Sequence, residues 1–122
     1  MKPRIQVLIA DDRPRARDGL RALLSCWSTV EVVCEASNGQ EATQFVEESR
    51  PDVVLMDMHM PKLDGIAATR LIKSRWPHVK VVALSMGYQY RDNALAAGAD
   101  SFLLKGCPSE QLLEAISDQD KE

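Results

Sequence analysis

Val53-Val54-Leu55-Met56-Asp57 runs four apolar residues straight into an acid, and Pro61 follows four residues later. A short stretch this apolar, rich in β-branched residues, reads as a strand inside a sheet. An isolated buried carboxylate is costly and normally neutralises or finds a partner. Partners stand at the ends of two other apolar runs. Ile5 to Ala10 leads into Asp11-Asp12, and Ser101 to Leu104 leads into Lys105.

Working outward, apolar runs alternate with amphipathic segments along the whole chain. Strands are read at Ile5–Ala10, Val30–Ala36, Val53–Met56, Val79–Leu84 and Ser101–Leu104. Between them lie helices. Pro14–Cys26 carries Ala16, Leu20, Leu23 and Leu24 at helical spacing, with Asp12 or a neighbour as its cap. Gln40–Ser49 turns Ala42, Phe45 and Val46 inward and stops before Pro51. A third helix follows Leu63-Asp64-Gly65 and ends near Arg75. A short one covers Asp92–Ala97, and a last one starts at Pro108. Near-continuous apolar strands belong to parallel sheets covered on both faces, and right-handed crossovers place helices on both sides. The expectation is an α/β, doubly wound, five-stranded parallel sheet of flavodoxin-like strand order 2-1-3-4-5. Such folds bind ligands outside the carboxyl ends of the strands. Asp11, Asp12, Asp57, Ser85 and Lys105 all fall at those ends.

Size and charge are consistent with this. The 122 residues make one domain. The net charge of -3 argues against direct nucleic-acid binding by this segment. The apolar runs are too short to span a membrane, and Asp11-Asp12 interrupt the run behind the basic N-terminus, so no secretory signal is read. Three cysteines, Cys26, Cys34 and Cys107, show no C-x-x-C spacing. Reduced thiols in a cytoplasmic protein are expected.

Each residue alone has an ordinary reading. Asp11-Asp12 is a turn or helix cap, Lys105 a solvated strand end, Ser85 a turn residue. Together at the strand ends they describe a phosphoryl-accepting site. Magnesium prefers oxygen ligands and needs only one or two carboxylates besides phosphate oxygens and water. Asp11, Asp12 and Asp57 supply such ligands. A carboxylate is also a nucleophile toward phosphorus. Asp57 ends the central strand, and Lys105 and Ser85 offer charge and a hydrogen bond.

Four segments occur in order: Asp11-Asp12; Met56-Asp57-Met58-His59-Met60-Pro61-Lys62-Leu63-Asp64-Gly65; Ala83-Leu84-Ser85; and Ala97-Gly98-Ala99-Asp100-Ser101-Phe102-Leu103-Leu104-Lys105. With them the chain resembles the receiver domain of two-component response regulators, most closely the NarL/FixJ-type group. The resemblance spans nearly all of it. It implies that Asp57 accepts a phosphoryl group from the phosphohistidine of a sensor histidine kinase. Asp11, Asp12, Asp57 and the His59 backbone carbonyl would hold Mg2+. Ser85 and Lys105 would contact the phosphoryl group, and Ser85 and Phe102 would act as the switch. His59 and Gly87 would tune phosphate loss. The protein's own chemistry would be self-phosphorylation and self-hydrolysis, not turnover as an enzyme.

The resemblance further implies a receiver over residues 1–117 and, in 118–122, the start of a linker to a helix-turn-helix output domain. That domain would bind DNA and regulate transcription. A homodimer through the first and last helices or the fourth-helix face is a further implication. A single-domain receiver, or a phosphorylation-independent interaction module, is the alternative. An aspartate-nucleophile phosphatase would want a second acid where His59 stands, and no G-x-x-x-x-G-K-[ST] or G-x-G-x-x-G is present.

Some features depart from the family pattern. Gly106 follows Lys105 where many receivers have proline after a cis peptide. The span from Ser85 to Lys105 is shorter than usual, which predicts an irregular or mobile region around Met86-Gly87-Tyr88-Gln89-Tyr90. Arg13, Arg17 and Arg21 are expected to stripe a solvated helix face. Met56, Met58 and Met60 are read as core or spacing residues, not a soft-metal site.

Overall fold

The computed structural model describes residues 3–60 and 62–117. Residues 118–122, expected to begin a linker, and Pro61 lie outside these residues. Five strands, β1 (Ile5–Ala10), β2 (Val30–Ala36), β3 (Val53–Asp57), β4 (Lys80–Ser85) and β5 (Ser101–Leu104), form one sheet in the order β2-β1-β3-β4-β5. Every pairing is parallel. The expected doubly wound architecture is therefore what the chain adopts, and β3 is its middle strand.

Alternation along the strands explains the two-sided core. Leu8, Val54, Met56, Val81 and Ala83 face α2 (Gly39–Ser49), α3 (Gly65–Arg75) and α4 (Arg91–Ala96), and pack with Val46, Ile72, Trp76 and Ala94. Val7, Ile9, Leu55, Val82 and Leu84 face α1 (Pro14–Leu24) and α5 (Ser109–Ser117), and pack with Leu24, Leu112 and Ile116. All five residues of β3 are buried, because both faces are covered. Met56, Met58 and Met60 belong to the first of these cores.

Local chemistry sets the helix ends. Asn38 caps α2 by accepting from the Glu41 amide, while Glu41 accepts from the Ser37 amide and hydroxyl. These bonds hold the Glu41 carboxyl below the ordinary glutamate range. Asp64 caps α3 through the Ala67 amide. The cap expected on α1 differs. Arg13 is its N-cap residue and makes no side-chain cap. Asp12 is not used as a cap, and Pro14 removes one donor that a cap would have served.

One boundary shifts by two residues, and one region takes an irregular form. The first helix stops at Leu24, two residues before Cys26. The region after Ser85 is a 3-10 turn over Tyr88–Tyr90 followed by a six-residue α4, the irregular geometry expected of the short span. The described residues contain no cis peptide, and Gly106 takes φ +86° after Lys105. No described helix is long and apolar enough to cross a membrane.

Candidate functional site

Register brings the strand ends into one row. Ala10 pairs with Met56, Asp57 with Leu84, and Ser85 with Leu104. The next residue on β1 is Asp11 and on β5 is Lys105. The strand order reverses at β1, whose neighbours are β2 and β3, so Asp11, Asp12 and Asp57 flank the switch point where ligands bind in such sheets.

Carboxylate oxygens of Asp11, Asp12 and Asp57 lie within 4.8 Å of one another. Asp11 and Asp57 are buried, Asp12 is exposed. Lys105 reaches in from β5, with Nζ 2.7 Å from Asp11 Oδ2 and 3.3 Å from Asp57 Oδ1. Asp11 Oδ1 accepts from the Arg13 amide at 2.9 Å. Besides Lys105, Asp57 Oδ1 receives a long contact, 3.4 Å, from the His59 amide. Burial pushes the Asp57 carboxyl above the ordinary aspartate range, and the Asp11 charge adds to the rise. Lys105 and the His59 amide pull the other way but do not cancel it. This all-oxygen, net-negative donor set fits a hard divalent cation.

Ser85 is buried at the end of β4, and its Oγ accepts from the Gly87 amide at 3.3 Å. Its carbonyl accepts from the Lys105 amide at 2.8 Å, tying the two strand ends together. Phe102 is half-buried against the α2–α4 core, with its ring 6.2 Å from that of Tyr88. A cavity of about 320 Å³ opens over Asp57, lined by Asp12, Arg13, His59, Ser85, Met86, Gln89 and Tyr90.

Four contributors were not read as site residues from sequence. Tyr90 and Gln89 line the cavity from the 3-10 turn. Arg17 donates from Nη1 to the Asp11 carbonyl at 2.7 Å and from Nε to Glu35 at 3.1 Å. This corrects the solvated-stripe expectation: Arg17 is only 18% exposed at its side chain, while Arg13 and Arg21 are more than half exposed. Glu35 sits on β2 and attracts both Arg17 and Arg21. Helical spacing alone cannot reveal a carboxylate on a neighbouring strand. Cys26, Cys34 and Cys107 are free thiols, and burial pushes Cys34 and Cys107 toward the unreactive neutral form.

Comparison with known proteins identifies the family and the fold. The transcriptional regulatory protein DegU of Brevibacillus brevis is 39% identical over 115 residues, covering 93% of this chain and 49% of DegU. The response regulator protein VraR of Staphylococcus aureus (strain NCTC 8325 / PS 47) is 38% identical over 114 residues, covering 92% of this chain and 54% of VraR. The chain thus spans about half the length of these curated relatives. Among solved structures, the signal receiver domain of the response regulator NarL from Mycobacterium tuberculosis superposes with a TM-score of 0.90 at 31% identity, covering 96% of each chain. The response regulator domain of Thermotoga maritima CheB gives 0.87 at 32% identity, covering 94% of this chain and 95% of that one. The response regulator receiver domain model matches residues 7–117, and the chain belongs to that family, among relatives of the NarL and LuxR type.

Proposed function

We propose that this domain is a phosphorylation switch in which Asp57 is the phosphoacceptor. The observation that supports this most is the convergence of three carboxylates and one ammonium at the strand switch point. An oxygen of Asp57 attacks phosphorus, the bond from phosphorus to the donor's leaving group breaks, and an acyl phosphate forms. The donor is the phosphohistidine of a sensor histidine kinase, or a small phosphodonor in its place. Lys105 is placed to offset charge on the transferring group, and Ser85 to donate its hydroxyl to it. Asp11, Asp12, Asp57 and the His59 carbonyl would hold Mg2+, which would neutralise phosphoryl oxygens. Carboxylate oxygens within 4.8 Å of one another would suit a cation that takes one or two carboxylates and fills its remaining positions with water and phosphoryl oxygens.

The switch follows from the contacts around Ser85. A phosphoryl group brings about -1.5 to -2 charges to one point and draws in the Ser85 hydroxyl, whose Oγ now accepts from Gly87. Gly87 leads into the Tyr88–Tyr90 turn, and Tyr88 packs on Phe102. The displacement therefore reaches the surface of α4 and β5, a bistable element biased by one local charge. His59 lines the cavity over Asp57 and the Gly87 amide bonds Ser85 Oγ, and both would tune phosphate loss. The output is control of transcription through a DNA-binding domain beyond this segment, with a homodimer as the working form. This part rests on the relatives, which are transcriptional regulators of about twice the length. The protein acts in the cytoplasm, where the kinase and the DNA are. Its only chemistry is its own phosphorylation and dephosphorylation.

A phosphorylation-independent interaction module is the second reading, favoured by the six-residue α4. The two separate on addition of beryllofluoride with Mg2+, followed by amide NMR. The switch requires shifts at Ser85, Gly87, Tyr88 and Phe102. Shifts confined to Asp11, Asp12 and Asp57 would support the second reading.

A further inference from the structure

The Tyr90 hydroxyl lies 3.1 Å from His59 Nδ1, and the two rings are 5.7 Å apart. His59 belongs to the loop after β3 and Tyr90 to the 3-10 turn after β4, so this contact joins the two loops that follow Asp57 and Ser85. Two depressions meet there. The cavity of about 320 Å³ over Asp57 and a neighbouring one of about 420 Å³ share Asp12, His59 and Tyr90 in their walls, and no others among the described residues. The Tyr90–His59 pair thus partitions them. Gln89 closes the same rim: its side-chain amide occupies the space in front of Gly87, where a Cβ would overlap it.

From this geometry we infer that Tyr90 is a positioning residue for phosphoryl-group lifetime. Its hydroxyl clasps the His59 ring across the mouth of the site and limits water's approach to the acyl phosphate. The inference rests on Asp57 being the phosphoacceptor. Hydrolysis needs water to reach phosphorus on the side opposite the Asp57 oxygen. With the clasp closed, that path lies through one cavity rimmed by Gln89, Met86 and Arg13. With it open, the second depression joins the first and the His59 ring is free to turn away.

Tyr90→Phe removes the hydroxyl and keeps the ring that packs against the core. The test phosphorylates wild type, Tyr90→Phe, His59→Ala and the double variant with acetyl phosphate and Mg2+, removes the donor, and follows phosphoprotein decay by intact mass. Thermal unfolding is recorded for each. Tyr90→Phe is expected to shorten the lifetime about threefold or more, the scale set by one hydrogen bond, with the melting temperature lowered by no more than a few degrees. Because Tyr90 acts through His59, the double variant is expected to decay at the His59→Ala rate. An unchanged or longer lifetime in Tyr90→Phe, or multiplying effects in the double variant, would overturn the clasp while leaving the phosphoacceptor reading intact. A wild type that takes no phosphate overturns both.

Discussion

Lys105 Nζ is closer to Asp11 than to Asp57, 2.7 Å against 3.3 Å, and so links the end of β5 to the end of β1 across ninety-four residues of sequence. The ammonium neutralises the same carboxylate that the metal reading requires. Lys105→Met is therefore expected to lower stability without metal by up to about 3 kcal/mol, because buried acids lose their counter-charge. It should bind Mg2+ more tightly than wild type and gain more melting temperature from it. Calorimetric titration with Mg2+ decides this. Equal or weaker affinity in the variant would show that Lys105 does not compete with the cation.

Asp57 carries a raised pKa in the folded state, chiefly from burial and then from Asp11. The folded protein holds that proton more tightly than the unfolded chain. Stability is then lost as pH rises from the ordinary aspartate value through the raised one, and the deficit persists above it. Asp57→Asn lacks the deficit. In divalent-free buffer it is expected to be more stable than wild type at neutral pH, with the gap closing once pH falls below the ordinary aspartate value. Urea unfolding across pH measures this. Equal midpoints at neutral pH would mean that Lys105 compensates Asp57 fully.

Gly65 begins α3, and a Cβ there would overlap the carbonyl oxygen of Asp57. Backbone cannot yield as a side chain can, so Gly65→Ala is expected to cost about 1–3 kcal/mol by overpacking and to displace the Asp57 loop. Gly19, inside α1, faces open space. Gly19→Ala should stabilise by about 0.5–1 kcal/mol through helix propensity. Denaturant midpoints of the two variants moving in the same direction would refute the close approach of α3 to β3.

Arg17 and Arg21 test the partly buried network beside Asp11. Arg17 bonds the Asp11 carbonyl and Glu35, and Arg17→Ala is expected to cost about 1.5–3 kcal/mol because charged hydrogen bonds are lost. Arg21 is half exposed and pairs with Asp18 and Glu35, so Arg21→Ala should cost under about 1 kcal/mol. Thermal melts in low and high salt separate them, since only the Arg21 effect should be largely screened.

The strands and the acids at their ends were legible because burial on both faces leaves uninterrupted apolar runs, and polar residues end them. That logic located β1, β3, β5, Asp57 and Lys105 directly. The helix at Pro14 was legible in its start but not in its cap, since aspartate is the favoured cap and nothing local marks Arg13 as the N-cap residue. Arg17 was misread because its partner Glu35 lies on β2. Tyr90 was invisible as a site residue because nothing local marks the two turns that bring it to His59, thirty-one positions away. The left-handed pair Lys62 and Leu63, at φ 50° and 62°, was equally hidden, because neither is the glycine that such angles favour.

Intact mass spectrometry after incubation with acetyl phosphate and Mg2+ tests the central claim most directly. Wild type is expected to gain the mass of one phosphoryl group, mapped to Asp57 by peptide analysis and lost when Mg2+ is chelated beforehand. Asp57→Ala is expected to gain nothing. A wild type that gains no mass, or an Asp57→Ala variant that gains it equally, would contradict the account.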